Sequence, residues 1–179
     1  MKIGICGAQS TGKTTLLNSL HEREELNGYE YCVESTREIQ RLGLNINEKG
    51  DDITQKMIMQ HHVFNLSMYD DMIADRTVYD CMVYTDYLYH RNQVSEEMYQ
   101  LIVKIFERFH TSYDIIFYIK PEFDIVEDGV RSDNRSFRDE IDYRFQQLLR
   151  DVPPNKIFIL SGTVDERVQQ LLSKLTTGI

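Results

Sequence analysis

The chain has 179 residues, 41% of them hydrophobic and 27% charged, which is the composition of one ordinary globular domain. Its formal net charge of −9 argues against a protein whose main task is to coat nucleic acid, because phosphate backbones call for a basic surface. The three cysteines, Cys6, Cys32 and Cys81, form no Cys-x-x-Cys pair, and no apolar run approaches the ~20 residues of a transmembrane helix. We therefore expect a cytoplasmic protein in a reducing compartment, with no zinc site and no membrane contact.

The predicted elements alternate between strand and helix, which is the pattern of a parallel sheet covered by helices on both faces. Apolar or alternating runs predict strands at 2–6, 29–33, 72–75, 113–120 and 156–160. Helical spacing predicts helices after the loop that begins at 7, from 52 onward, over 78–90 and 96–110, and from 136 and 163 onward. We predict a single α/β domain over 1–179, in which a polar segment at about 121–137 forms a flexible lid.

A complete phosphate-binding loop follows the first predicted strand. Its pattern is Gly7-x-x-x-x-Gly12-Lys13-Thr14, with a strand before it and a helix after it. Glycines let several backbone N–H groups turn toward one anion, and the helix start adds its positive end. Lys13 can reach the β- and γ-phosphates and the Thr14 hydroxyl can bind Mg²⁺, so we predict ATP and Mg²⁺ as cofactors. The residues expected to hold ATP are Gly7, Gln9, Ser10, Thr11, Gly12, Lys13, Thr14 and Thr15.

Other classes of P-loop protein carry motifs that this sequence lacks. The guanine-reading Asn-Lys-x-Asp is absent, because Phe158 stands in the Asp position after Asn155. The Asp-x-x-Gly of switch GTPases is absent too, since Val78 is the third residue after Asp75. The transporter signature Leu-Ser-Gly-Gly is only half matched at Leu160. The architecture that remains is that of a small kinase.

Phosphoryl transfer needs charge neutralisation and a carboxylate near the acceptor hydroxyl, and two predicted strand ends supply candidates. Asp75 ends the third strand and could hold Mg²⁺ through water or take the acceptor's proton; the alternative is that it caps the next helix. Glu34 follows the second strand and is a candidate base or a ligand for sugar hydroxyls; the alternative is a surface ion pair with Arg37. Arg76 could meet a phosphate or fix a carboxylate, so Arg37 and Arg76 join the predicted substrate site.

Three arginines lie between the fourth strand and the next helix, at Arg131, Arg135 and Arg138. A guanidinium group suits bidentate contacts with phosphate, and a closing lid would bring these groups to the moving phosphoryl group and exclude water. We predict catalytic roles for Arg131 and Arg135. The alternative is a solvated loop whose arginines pair with neighbouring aspartates.

The long helix that begins at residue 52 is a candidate wall of the acceptor pocket. Side chains spaced for one face are those of Ile53, Met57, His61, Phe64 and Met68. We predict that this face packs on the core and that Gln60 and His61, which lie on or beside it, hydrogen-bond the acceptor. The alternative interpretation is that these side chains belong to the core and that the histidine is hydrogen-bonded within it.

Five stretches carry a resemblance to a known family: GAQSTGKT, VESTRE, MIMQHH, IADRTVYD and YDIIFYIKPEFDIVEDGVRSDNRSF. In order and spacing they resemble the nicotinamide riboside kinase domain of bacterial NAD-biosynthesis regulators and related small P-loop proteins, many of them phage-encoded. DRTVYD also resembles the Asp/Glu-Arg-Ser motif of deoxynucleoside kinases, which would make Glu34 the counterpart of their base. The resemblance implies a three-layer P-loop kinase fold with a five-stranded parallel sheet of order 2-3-1-4-5.

The same resemblance implies roles for individual positions. Lys13 and Thr14 match the donor site, Asp75 matches the acidic strand end, and Asp128-Gly129 with Arg131 matches the start of the lid. The activity it implies is ATP-dependent phosphorylation of a nucleoside hydroxyl.

We therefore predict an ATP-dependent kinase that transfers the γ-phosphoryl group to a hydroxyl or phosphate of a nucleoside- or nucleotide-type acceptor. Nicotinamide riboside, a deoxynucleoside and a nucleoside monophosphate all stay open as that acceptor. The alternatives are a kinase acting on hydroxymethylated bases in DNA and a nucleotide-dependent binding module with weak ATPase activity. The net charge makes nucleic acid the less favoured partner, and the sequence leaves the oligomeric state open.

Overall fold

The computed structural model describes residues 1–122 and 134–176, and five strands within them form one sheet. The strands are β1 (Lys2–Cys6), β2 (Glu30–Cys32), β3 (Met72–Asp75), β4 (Ile115–Ile119) and β5 (Ile157–Leu160). Their order across the sheet is β2-β3-β1-β4-β5, and each neighbouring pair is parallel. The predicted α/β class and strand order are confirmed.

Helices connect and cover these strands. They are α1 (Lys13–His21), α2 (Thr36–Arg41), α3 (Asp52–Met68), α4 (Val78–Tyr89), α5 (Glu96–Phe109), α6 (Arg135–Leu148) and α7 (Val164–Thr176). The prediction from the sequence did not include the short helix α2. It also placed the start of α6 at Ser136, whereas the cap is Asn134, whose side chain accepts a hydrogen bond from the Phe137 N–H at 3.1 Å. The end of the predicted lid segment therefore belongs to α6. In the described part of the chain, no helix has the length and apolar character to cross a bilayer.

The sheet has an apolar cluster on each face, because successive side chains of a strand point to opposite sides. On one face, the cluster joins the sheet to α1 and α7 and includes Ile3, Ile5, Leu16, Leu20, Phe117, Val168 and Leu171. On the other face, it joins the sheet to the helices α3 to α6 and includes Met59, Met72, Ala74, Leu88, Ile102, Ile141 and Phe145. The protein thus has three layers, with the parallel sheet in the middle.

The prediction of which face of α3 packs on the core is wrong. Side chains that the prediction placed in the core are more than half exposed: Ile53 at 58%, Phe64 at 55% and Met68 at 59%. The buried side chains of α3 include the apolar Met59 and Leu66 and the polar Thr54, Gln55, His62 and Asn65. The helix turns a partly polar face inward, so hydrophobic spacing alone indicated the opposite orientation.

The turn from β1 into the P-loop depends on the absence of a side chain at Gly7. Its φ is +145°, and a Cβ atom there would lie 2.4 Å from the backbone carbonyl oxygen of Ile119 in β4. We expect Gly7→Ala to lower the free energy of unfolding by more than about 3 kcal/mol, because the backbone atoms of two paired strands would have to separate.

Gly28→Ala is the matched control for this prediction. Gly28 also has a positive φ, +100°, but its Cβ would meet nothing within 4 Å among the described residues. We expect Gly28→Ala to cost about 1–2 kcal/mol, the conformational strain alone. Urea denaturation measures both variants, and equal losses would show that the contact with Ile119 has no effect.

Candidate active site

Three loops that carry candidate functional residues meet at one edge of the sheet. The P-loop follows β1, Glu34 comes shortly after β2, and Asp75 ends β3, which lies between β1 and β2 in the sheet. These are the carboxyl ends of parallel strands, the edge at which open α/β sheets bind ligands. The order of the strands therefore brings distant residues together: Thr14 and Asp75, for example, are 61 positions apart in the sequence and form a hydrogen bond.

The P-loop wraps around the side chain of Lys13, the first residue of α1. The Lys13 Nζ donates to the carbonyl oxygens of Gly7 at 2.8 Å and Ala8 at 2.6 Å and to the Thr11 hydroxyl at 3.2 Å. Burial, together with the nearby positive charge of Arg76, lowers the pKa of Lys13 to about 8. The ammonium group is thus held at the loop by contacts with neutral oxygens.

The remaining residues predicted to hold ATP differ in their surroundings. Ser10 and Gly12 have positive φ values of 59° and 88°, so they make the sharp turns of the loop. The side chains of Gln9 and Thr11 are buried, and Thr15 is exposed on α1.

Thr14 and Asp75 form a direct contact between the P-loop and β3. The Thr14 hydroxyl donates to Asp75 Oδ2 at 2.6 Å, while the buried Oδ1 has no hydrogen-bond partner among the described residues. Burial and the negative charge of Glu34 raise the pKa of Asp75. Hydroxyl and carboxylate oxygens are ligands that Mg²⁺ prefers, so the pair fits this ion.

No cluster of three or more His, Cys, Asp or Glu side chains is placed to hold a metal within residues 1–122 and 134–176. Mg²⁺ at Thr14 and Asp75 would therefore be held with the phosphates and water, which is how this ion is usually bound.

Beside this contact, Arg76 and Glu34 form a buried ion pair. The Arg76 Nε lies 2.6 Å from Glu34 Oε1, and Arg76 has a φ of +73°, a conformation that side chains other than glycine rarely adopt. Burial opposes ionisation of Glu34, but Arg76, a hydrogen bond with Thr36 and the charge of Lys13 outweigh it and lower its pKa. Glu34 is thus held as a carboxylate, and Arg37 lies on the exposed side of α2.

Asp80 is a buried acid that the sequence analysis missed as a site residue. Its Oδ2 accepts hydrogen bonds from the Thr77 N–H and hydroxyl, both at 2.9 Å, which caps α4. Its Oδ1 accepts from the Gly7 N–H at 3.4 Å and lies 3.6 Å from Arg76 Nη1. Burial raises its pKa to about 6. The spacing Thr77-x-x-Asp80 is a capping pattern and could have revealed this residue.

A small cavity is lined in part by Arg76 and Asp80. Its volume is about 20 Å³, and its lining residues are Thr36, Asn47, Gln55, Ile58, Arg76, Asp80, Cys81 and Tyr84. Tyr84 also donates a hydrogen bond to Gln9 of the P-loop at 2.9 Å, and Arg76 lies over its ring at 5.3 Å from the centroid. Tyr84 of α4 therefore connects the lining of the cavity to the P-loop.

Gln60, His61 and Arg135, which were predicted for the site, do not line this cavity. Gln60 is exposed on α3, and the half-buried His61 contacts the carbonyl oxygen of Val33 at 3.2 Å and Asn65 at 3.1 Å. Arg135 is the exposed first residue of α6. Arg131, like the Asp128-Gly129 pair, lies outside the described residues. The buried polar residues of α3 include Gln55, which lines the cavity, and His62.

His62 is 4% exposed, and its Nε2 atom has no hydrogen-bond partner among the described residues. Burial, with the charges of His61 and Arg76, lowers its pKa to about 3. An unfolded histidine has an ordinary pKa near 6.5, so below that pH the unfolded chain binds a proton that the folded chain does not, and stability falls as the pH falls.

We expect acidification from pH 7 to pH 5 to cost the wild type about 2 kcal/mol more than it costs His62→Phe. Urea denaturation at both pH values measures the difference, and His90→Phe, at an exposed histidine of α4's C-terminal end, supplies the reference. If acidification lowers the stability of the wild type and of His62→Phe equally, then His62 is not buried in its neutral form.

A complete P-loop at the edge of a parallel sheet of order 2-3-1-4-5 defines a nucleotide-binding protein with a P-loop kinase fold. The chain belongs to the AAA domain family, whose model matches residues 2–167. No curated protein sequence matches the chain.

Several solved structures share this fold. Deoxyadenosine kinase from M. mycoides, with the products dCMP and a flexible dCDP, matches with a TM-score of 0.72 and 18% identity over 99% of each chain. Another structure of that kinase, with bound dATP, matches with a TM-score of 0.67 and 15% identity over 98% of this chain and 100% of the other. The NadR protein in complex with NR matches with a TM-score of 0.72 and 17% identity over 98% of this chain and 50% of NadR. At these identities the similarity shows the fold alone.

Proposed function

We propose that the protein is an ATP-dependent kinase that phosphorylates a hydroxyl group of a nucleoside. The observation that carries this proposal is the pairing of two carboxylates with different partners at one sheet edge. Asp75 is bonded to Thr14 of the P-loop, and Glu34 is held by Arg76, which lines the cavity. Asp75 thus contacts the loop that would hold the phosphate donor, and Glu34 is joined to the cavity through Arg76.

On the donor side, the loop and Lys13 hold the triphosphate. Lys13 exchanges its contacts with carbonyl oxygens for contacts with the β- and γ-phosphates, a gain because charged acceptors bind an ammonium group more strongly. Thr14 and Asp75 would hold Mg²⁺, which when bound neutralises charge on the phosphate oxygens.

On the acceptor side, Glu34 acts as the general base. Arg76 lowers the pKa of Glu34 and so keeps it ionised and able to accept a proton, whereas burial and the charge of Glu34 raise the pKa of Asp75. As the acceptor oxygen bonds to the γ-phosphorus, its proton passes to Glu34, the bond to the β-phosphate oxygen breaks and ADP leaves. Arg76 holds Glu34 in place for this step.

The charges around the cavity favour a neutral acceptor over a nucleoside monophosphate. Among its described lining residues, the cationic side chain is Arg76, and it is already paired with Glu34 and close to Asp80. A second phosphate would therefore meet the acid Asp80 and a guanidinium group that is already paired with Glu34. A sugar hydroxyl needs an acceptor for its proton, which Glu34 supplies.

The cavity must widen to admit a nucleoside. A volume of about 20 Å³ is room for about one water molecule, far less than a base requires. Its walls come from α2, α3, α4 and the connection that contains Asn47, so binding has to move these elements apart. We infer that the acceptor binds by induced fit.

An acceptor screen tests the proposal. ADP release is followed with nicotinamide riboside, the deoxynucleosides, the nucleoside monophosphates and DNA that contains hydroxymethylpyrimidines, and product masses identify what was phosphorylated. We expect a nucleoside to raise ADP release well above the rate with ATP alone. A response to monophosphates or to DNA only would overturn the acceptor class, and ATP hydrolysis that no acceptor stimulates would favour a binding module.

A further inference from the structure

A buried arginine of α7 lies against the P-loop, on the face of the sheet away from the cavity. Arg167 is 1% exposed, and its Nη1 donates to the backbone carbonyl oxygen of Thr11 at 2.6 Å. Its Nη2 donates to Glu122 Oε2 at 3.0 Å, and the same carboxylate oxygen accepts from the Gly162 N–H at 2.8 Å. One guanidinium group thus ties the P-loop to the segments that follow β4 and β5.

We propose that Arg167, held by Glu122, is a positioning residue for ATP binding because it fixes the Thr11–Gly12 peptide of the P-loop. The C=O and N–H of a trans peptide point in opposite directions. Since Arg167 holds the Thr11 carbonyl toward α7, the N–H of Gly12 points away from α7. That is the direction in which a loop N–H must point to meet a phosphate, because the carbonyls of a phosphate cradle have to face outward.

The Thr11–Gly12 peptide needs an outside contact to hold its orientation. Gly12 has a φ of +88° and immediately precedes α1, and glycine reaches several backbone conformations at similar cost. Without an outside contact, the peptide between Thr11 and Gly12 can rotate so that its carbonyl faces the anion, which repels it. A charged donor at 2.6 Å opposes that rotation.

Packing alone does not account for an arginine at this position. The apolar side chains Val168 and Leu171 of the same helix are fully buried and already join α7 to the sheet. A buried guanidinium group is costly to desolvate, and apolar side chains of similar size often replace buried ion pairs without loss of stability. An apolar side chain at this position could not donate a hydrogen bond to the carbonyl oxygen of Thr11, whereas the guanidinium group does.

The inference rests on the proposed donor site and is independent of the acceptor, so the test measures ATP binding instead of turnover. We would determine the Kd for MgATP by calorimetry for Arg167→Met, Arg167→Lys and Glu122→Gln, at a temperature at which circular dichroism shows each variant folded. The control is Arg144→Met, which removes an arginine of α6 that pairs with Asp86 and Glu140.

We expect Arg167→Met to weaken ATP binding at least about tenfold, which corresponds to about 1.4 kcal/mol, and Arg144→Met to bind within about twofold of wild type. Arg167→Lys keeps a charged donor and should recover part of the loss. Glu122→Gln should cause a smaller loss, and adding it to Arg167→Met should change little, because Glu122 acts through Arg167.

The Gly12 amide supplies a second readout, because it reports directly on the Thr11–Gly12 peptide that Arg167 contacts. In the free protein, we expect the ¹⁵N–¹H resonance of Gly12 to shift or broaden in Arg167→Met and to stay unchanged in Arg144→Met. Folded Arg167→Met that binds ATP within about twofold of wild type would overturn the inference. If Arg167→Met does not fold, unchanged ATP affinity in both Arg167→Lys and Glu122→Gln overturns it. Absence of ATP binding by the wild type overturns the proposed function as well, so the two failures are distinguishable.

Discussion

Replacing Lys13 by methionine is expected to lower kcat/KM for phosphoryl transfer by at least about 100-fold. The Lys13 ammonium group is the mobile positive charge of the P-loop, and its present contacts are neutral oxygens that it can leave for the triphosphate. Methionine keeps the buried stem of the side chain and removes the charge, so the loss measures stabilisation of the transferred phosphoryl group. Steady-state ADP release with the acceptor identified by the screen measures the effect.

The fold should survive this change with a modest loss of stability. Lys13→Met leaves the Gly7 and Ala8 carbonyls without their ammonium donor, which we expect to cost about 1–3 kcal/mol. Lys2→Met is a matched control, because the Lys2 Nζ also donates to a backbone carbonyl, that of Leu66 at 2.7 Å, but Lys2 lies at the opposite end of β1 from the loop. Lys2→Met should retain activity. A Lys13→Met protein with more than about a tenth of wild-type kcat/KM would contradict the assigned role.

The second large effect is expected for Glu34→Gln, with kcat lowered about 100- to 10,000-fold, the usual contribution of a general base. Glutamine keeps the size of the side chain and its capacity to contact Thr36, but it cannot take the acceptor's proton. ATP affinity should stay within about twofold of wild type, because Glu34 contacts Arg76 and not the P-loop. Single-turnover kinetics together with calorimetric ATP binding separate the two effects.

Two further variants show whether the base has been assigned to the correct acid. Asp75→Asn should raise the Mg²⁺ concentration needed for half-maximal activity, since Asp75 shares a hydrogen bond with Thr14 at the predicted ion site. Glu38→Gln removes an exposed acid of α2 and should leave kcat unchanged. The base would be Asp75 instead if Glu34→Gln had a near-normal kcat and Asp75→Asn had a much lower one. In that case added Mg²⁺ would not restore the kcat of Asp75→Asn.

The parts of the site that could be predicted are those formed by residues close together in the sequence. The P-loop is a strand, a glycine-rich turn and a helix start within 13 residues, from Lys2 to Thr14, so its pattern is visible in a single stretch. Asp75 was found for a related reason: an acid that directly ends a buried strand must lie at the carboxyl edge of a parallel sheet. The roles of both remain predictions until activity is measured.

The orientation of α3 shows where reading the sequence fails. Apolar spacing selected the face that contains Phe64 and Met68, and the structure exposes both. Gln55 and His62 are buried instead: Gln55 lines the cavity, and His62 lies near the charges of Arg76 and Glu34. A helix that packs against a polar site has polar residues on its buried face, so hydrophobic periodicity cannot identify that face.

By itself, the amino-acid sequence determined the class of fold and the phosphate-binding loop, since both follow from local patterns: the alternation of strands and helices, and the spacing of glycines before Lys13. Only the tertiary structure decided which distant side chains complete the site. Arg167 meets Thr11 across 156 positions and Asp80 meets Gly7 across 73, and neither contact has a local signature. Such contacts depend on the order of strands in the sheet and on the face that each helix turns inward, and these are set by packing of the whole chain.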